Sequence, residues 1–194
     1  MNLPNKLTLS RIILSLVFMV FILINHLYSH YLALFIFIVA ALTDVGDGYL
    51  ARRNGEVTSF GRFMDPMADK LLVSMAFISF VALKLVEVWM VLVIVGREFL
   101  IMGLRTLVAY RGSAMSSSLL AKYKTATQMS AAIIILLYFN LKTTLITQGI
   151  AFPWSERTGT LFLNGLVFLA MALTVISAID YLLKNVSLWR GILK

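Results

Sequence analysis

Apolar residues fill six long runs of this chain, at 7–24, 31–52, 59–83, 88–109, 119–139 and 160–183, with polar residues collected between them. A helix needs about 20 residues to cross a hydrocarbon core about 30 Å thick, because each residue rises about 1.5 Å. Every run reaches roughly that length, some only with polar residues admitted at one end, so the pattern predicts six transmembrane helices. The first run follows Lys6 and contains Arg11, but no small-residue cleavage site comes after it, which speaks against a cleavable signal peptide. The opening Met1-Asn2-Leu3-Pro4-Asn5-Lys6-Leu7-Thr8 is too short and too polar to span. It is expected to lie as a short interfacial segment with Leu3 and Leu7 toward lipid. The longest irregular stretch is expected at 143–157, and Trp89, Trp154 and Trp189 fit interfacial anchors.

Composition decides between buried helices of a soluble fold and membrane helices. Of the 194 residues 60% are hydrophobic and only 13% charged, and the mean hydropathy is +0.91. Soluble domains run nearer half apolar and a quarter charged. Disorder is excluded, and an all-α integral membrane protein is expected, as a single domain over residues 1–194. The chain has no cysteine, so disulfides, Cys-ligated zinc and thiol catalysis are excluded as well.

Charge then orients the helices. There are 17 Lys and Arg against 9 Asp and Glu. With the N-terminus cytoplasmic, thirteen of these cations fall on one side and only Lys84, Lys142 and Arg157 on the other, while Arg97 stays inside the fourth run. The positive-inside rule therefore places both termini in the cytoplasm. In such a protein the basic excess marks the cytoplasmic face rather than nucleic-acid binding.

Asp44, Asp47, Asp65 and Asp69 break the apolar pattern at the facing ends of the second and third runs. An ionisable residue in a span costs about 2.5–3.5 kcal/mol on insertion scales, which makes it a functional candidate. The first two are three apart and the second two four apart, so each pair shares a helix face. Counted from the outer ends, Asp44 and Asp47 lie roughly 20 and 24 Å deep, and Asp69 and Asp65 roughly 24 and 30 Å. Four carboxylates at one depth need compensating cations. With no cysteine, and with His26 and His30 expected in an outer loop away from the acids, the donor set points to Mg²⁺ or Mn²⁺. Two such ions can clamp a diphosphate. Pairing with Arg52, Arg53, Arg62 and Lys70 is the alternative for any one Asp, but the repeated spacing on two consecutive helices disfavours it for all four.

Gly48 and Gly61 would admit a ligand close to the backbone, or would simply permit tight helix packing. Asp65-Pro66 has two readings as well: Asp65 caps a helix that starts at Pro66, or a helix from near Ser59 is kinked there. The second is preferred, because it keeps Gly61, Asp65 and Asp69 on one helix.

Written out, the segment reads Asp44-x2-Asp47-Gly48-x2-Ala51-Arg52-x8-Gly61-x3-Asp65-x3-Asp69, eight fixed residues across 26 positions. It resembles the signature of the CDP-alcohol phosphotransferase family. The resemblance implies a six-helix membrane enzyme that moves a phosphatidyl or related group from a CDP-linked donor to an alcohol and releases CMP. It further implies that Asp44, Asp47 and Asp65 hold metal, with Asp69 as a further ligand and the base. Gly48, Ala51, Arg52 and Gly61 would bind the donor, CDP-diacylglycerol, and the enzyme would be a homodimer.

Three other stretches resemble the bacterial branch of that family whose acceptor is sn-glycerol 3-phosphate. They are residues 2–8 with Arg11, Gly96-Arg97-Glu98-Phe99 through Gly103-Leu104-Arg105, and Lys122-Tyr123-Lys124-Thr125. Ala121 departs from that pattern, standing where a glycine is expected, and the resemblance is weakest after Phe139. It implies a bacterial cytoplasmic membrane, with the active site facing the cytoplasm. The acceptor is an anion, and Arg97, Arg105, Lys122 and Lys124 are the cations expected to hold it. Arg97 and Arg105 are eight apart, two i+4 steps along one face. Arg97 lies only about 12 Å in from the outer end, and Glu98, next in sequence, is expected to face elsewhere, so another group would serve Arg97. Ordinary positive-inside charge is the alternative for Arg105, Lys122 and Lys124. A sibling enzyme acting on inositol phosphate, serine or phosphatidylglycerol, a small cation channel or transporter, and a scaffold subunit with ion-paired helix ends are the competing functions.

Overall fold

In lipid every backbone group must be satisfied within its own segment, so apolar runs of this length become helices. Six form: α1 (Leu3–Leu23), α2 (Leu27–Asn54), α3 (Ser59–Ala82), α4 (Val88–Tyr110), α5 (Leu119–Thr147) and α6 (Glu156–Lys184). The computed structural model describes residues 3–54, 59–110, 119–184 and 186. Within these helices, the side chains of residues 3–7, 44–54, 59–66, 69, 109–110 and 119 lie outside the description. Leu120–Thr147 and Glu156–Lys184 are long and apolar enough to cross a membrane, and Thr8–Leu23, Leu27–Thr43 and Lys70–Ala82 are shorter apolar stretches. The architecture is that of an all-helical membrane protein.

Several boundaries differ from the sequence expectation. Residues 3–8 continue α1 instead of forming a separate interfacial segment; Pro4 falls in the first turn, where a missing N–H costs nothing. α5 runs past 139 to Thr147 because its polar residues bond back to their own helix. Thr143 Oγ1 donates to the Phe139 carbonyl (2.8 Å) and Thr147 Oγ1 to that of Thr143 (2.8 Å). The irregular stretch shrinks accordingly to residues 148–155. His30, expected in a loop, lies in the first turns of α2, buried against the Phe139 ring at 4.7 Å. α3 does start at Ser59 and passes through Pro66, so Gly61, Asp65 and Asp69 share one helix.

Short connections at 24–26, 83–87 and 148–155 make antiparallel hairpins of α1–α2, α3–α4 and α5–α6. Two of these ends close in the same way. The Leu85 N–H reaches the Phe80 carbonyl (2.9 Å) around a left-handed Lys84, and the Ile150 N–H reaches the Leu145 carbonyl (2.9 Å) around a left-handed Gly149. At the start of α6, Ser155 Oγ accepts the Thr158 N–H (3.2 Å) as an N-cap.

Packing divides the molecule along its length. Phe18 and Ile22 of α1, Phe37 of α2, Phe77 and Phe80 of α3, Ile94 of α4, Ile135 and Leu136 of α5, and Leu163 and Val167 of α6 form one buried apolar cluster. These positions all lie toward the ends joined by 24–26, 83–87 and 148–155. The opposite half carries the buried polar residues Glu98, Lys124, Gln128, Thr174 and Ser177. α1 packs along both α2 and α3, α4 along α6, and α5 against α2, α3 and α6.

α5 and α6 meet closely at Gly159. A Cβ there would overlap the Tyr138 hydroxyl, and the Tyr138 ring is backed by Phe152 (5.2 Å) and Trp154 (6.1 Å). Gly159→Ala is expected to destabilise the fold by about 1–3 kcal/mol, and adding Tyr138→Phe should recover much of that. Thermal midpoints in detergent measure both variants; an unchanged midpoint for the single variant would show that Tyr138 swings aside freely.

Candidate functional site

Asp44, Asp47, Gly48, Ala51 and Arg52 fall near the C-terminal end of α2, and Gly61, Asp65 and Asp69 in the N-terminal half of α3. Residues 55–58 join these two ends, so both aspartate pairs sit at the same end of the molecule. Each helix is continuous through its pair, and i, i+3 and i, i+4 partners then share a face. The side chains of all eight residues lie outside those described. As a donor set, four carboxylates on two adjoining helix ends suit a hard divalent cation that takes oxygen ligands.

In the neighbouring α3–α6 region, Glu98 is the centre of a polar cluster among the described residues. This carboxylate, 4% exposed, gathers donors from three helices. Its Oε1 accepts from Arg97 Nη1 (3.1 Å), from Lys124 Nζ and from Gln128 Nε2 (3.5 Å). Its Oε2 lies 3.5 Å from Lys70 Nζ. The network continues into α6, where Arg97 Nη2 donates to Ser177 Oγ (2.9 Å) and Gln128 Nε2 to Thr174 Oγ1 (2.9 Å). Thr174 in turn donates to the Ala170 carbonyl (2.6 Å) and Ser177 to that of Thr174 (3.0 Å). Arg97 Nε is buried with no partner among the described residues. Deeper along the same face of α4, the Arg105 guanidinium lies 5.6 Å from the centre of the Tyr181 ring, within cation–π range.

The four cations expected around an anionic acceptor are therefore divided. Arg97 and Lys124 meet on Glu98. Arg105 is exposed but shares with Arg97 the α4 face that looks toward α6. Lys122 is exposed; two residues from Lys124, it points to a different side of α5. One expectation is corrected outright: Glu98 does not face away from Arg97 but is its partner. Adjacent Cβ atoms do diverge on a helix, yet the long arginine stem carries its guanidinium back to the neighbouring carboxylate.

Gln128, Thr174, Ser177 and Tyr181 were not singled out by sequence reasoning, and Lys70 was named only as a possible ion partner of the aspartates. The signals were present as spacing: Lys124 and Gln128 are i, i+4 on α5, and Thr174, Ser177 and Tyr181 run i, i+3, i+7 on α6. Each is a polar stripe in an otherwise apolar helix.

Comparison with known proteins supplies the context. The family model described as CDP-alcohol phosphatidyltransferase matches residues 1–176. A Bacillus subtilis protein named CDP-diacylglycerol–glycerol-3-phosphate 3-phosphatidyltransferase is 38% identical, over 95% of this chain and 95% of its own length. Proteins of the same name are 36% identical in Escherichia coli K12, over 93% of both chains, and in Rickettsia typhi, over 93% of this chain and 94% of that one.

Proposed function

The chain belongs to the CDP-alcohol phosphatidyltransferase family, and we propose that it transfers the phosphatidyl group of CDP-diacylglycerol to sn-glycerol 3-phosphate. The products are phosphatidylglycerophosphate and CMP, and the reaction belongs to anionic phospholipid synthesis. Near-full-length similarity to relatives of that name supports the reaction. The observation that carries the acceptor is the gathering of Lys70, Arg97 and Lys124 around one buried carboxylate. Among the described residues, three cations against one anion leave an excess of positive charge in a membrane-embedded site, and a small phosphate ester balances that excess. Serine, a neutral acceptor, gives no reason for it.

The chain acts as one domain over 1–194. Its six helices cross the bacterial cytoplasmic membrane, with both termini and the site on the cytoplasmic side, as the distribution of Lys and Arg supports. There a lipid diphosphate at headgroup level meets a water-soluble acceptor. The family resemblance adds a homodimer.

Asp44, Asp47, Asp65 and Asp69 are the residues that would hold two divalent ions, Mg²⁺ or Mn²⁺, and their oxygen-only donor set fits such ions. Held by these carboxylates, such ions would supply positive charge to offset the donor diphosphate and the departing CMP. Gly48 and Gly61 let the nucleotide approach the backbone, with Ala51 keeping that helix face small and Arg52 contacting the donor phosphates. Arg97, Arg105, Lys122 and Lys124 draw in and hold the acceptor phosphate. The primary hydroxyl of glycerol 3-phosphate attacks the phosphorus bearing the diacylglycerol, Asp69 takes the hydroxyl proton, and the bond to CMP breaks.

Purified protein in detergent, given Mg²⁺, CDP-diacylglycerol and one acceptor at a time, is expected to release CMP with glycerol 3-phosphate. It should not do so with inositol phosphate or serine, and chelation should abolish release. Release with another acceptor would keep the aspartate site and discard the acceptor assignment. No release with any acceptor, from folded protein, would overturn the transferase reading.

A further inference from the structure

We propose that Glu98 is a positioning residue, which aligns Arg97, Lys124 and Lys70 and sets the net charge of the pocket for a doubly charged phosphate. The proposal rests on reading Arg97 and Lys124 as acceptor ligands. Nothing in the transfer chemistry calls for a carboxylate here: an anion beside an anion site repels the substrate, so its presence needs another reason. The geometry gives one. Lys70 on α3, Arg97 on α4 and Lys124 on α5 all lie against Glu98, and without it three cations would repel one another in a poorly solvated space.

Charge and donor counting agree. Among the described residues, Glu98 is the anion these three cations face, so the cluster keeps an excess of two positive charges. A phosphate monoester carries about −1.5 to −2 near neutral pH, which closes the balance. Donors also remain. Arg97 Nε has no partner among the described residues, and each lysine ammonium has three hydrogens, of which Glu98 engages one. Gln128 braces the arrangement by donating both to Glu98 and to Thr174. The carboxylate thus holds the cations together, and among the described residues Arg97 Nε is left without a partner.

The test compares Glu98→Gln, Glu98→Asp and Arg97→Lys in the full-length enzyme, with KM for glycerol 3-phosphate and for CDP-diacylglycerol measured separately. Glu98→Gln is expected to raise the acceptor KM on the order of tenfold or more. Glu98→Asp, which keeps the charge on a shorter stem, should raise it less, and the donor KM should stay within about twofold in both. An acceptor KM that is unchanged or lowered in both variants would overturn the proposal. So would an equal rise for both substrates, which marks a structural brace. If Glu98→Gln does not fold, Glu98→Asp is judged by the same two readings, a selective rise supporting the proposal. Arg97→Lys separates the two levels: if it raises the acceptor KM while the Glu98 variants do not, the Glu98 role alone fails. If it too leaves the acceptor KM unmoved, the acceptor pocket itself fails and the Glu98 role with it.

Discussion

Asp69→Asn is expected to cut CMP formation by about 10²–10⁴-fold, the contribution usual for a general base, while CDP-diacylglycerol binding stays near wild type. The reason lies in its place on α3. Of the four aspartates it alone is followed directly by a member of the acceptor cluster, Lys70, whose ammonium lies 3.5 Å from Glu98. On the proposed reading, this puts the last aspartate at the border between the donor and acceptor regions, where the hydroxyl proton would be taken. Asparagine preserves volume and can still offer an oxygen, but it cannot accept that proton. Asp44→Asn on α2 is the comparison: far from the cation cluster in sequence, it should weaken donor binding and turnover together. Single-turnover CMP release and equilibrium binding of the donor lipid separate the two cases. Parallel loss of binding and turnover in Asp69→Asn would place Asp69 among the residues that only hold metal.

The helices were legible because membrane thickness sets their length, and the six apolar runs return as α1 to α6. What was missed followed from local bonding that hydropathy does not register. Thr143, Thr144 and Thr147 read as loop residues, yet each donates back to its own helix (2.7–2.8 Å) and prolongs α5. The aspartate signature was legible as spacing, since eight residues at fixed intervals need no coordinates to be read. The acceptor side was legible only as a set of cations. Sequence reasoning weighed Lys122 and Lys124 alike, although two residues on a helix point to different sides; one is exposed and the other buried. It counted Lys70 as a partner for the aspartates, whereas its described contact is Glu98. Glu98 itself was set aside because consecutive residues do not face each other, an argument that holds for Cβ atoms and fails for an arginine tip.

Arg97→Lys isolates geometry from charge in the same pocket. The guanidinium spends Nη1 on Glu98 of its own helix (3.1 Å) and Nη2 on Ser177 of α6 (2.9 Å), which leaves Nε buried without a partner among the described residues. A planar fork can serve a carboxylate, a hydroxyl and a ligand oxygen at fixed angles, while an ammonium is a point charge on a flexible stem. Lysine keeps the positive charge but loses the simultaneous reach to α4 and α6. One hydrogen bond to a charged group contributes about 1.5–3 kcal/mol, and about 1.4 kcal/mol is tenfold. The expected loss in kcat/KM for glycerol 3-phosphate is therefore roughly 10- to 100-fold, with donor KM unmoved. Ser177→Ala removes only the α6 anchor and should cost less, because Glu98 still holds the guanidinium. Wild-type acceptor kinetics in Arg97→Lys would mean that charge alone matters at this position. A fall shared equally by both substrates would instead mark the Arg97–Ser177 bond as a brace between α4 and α6, since loosening that contact disturbs the whole inner half without preference for either substrate.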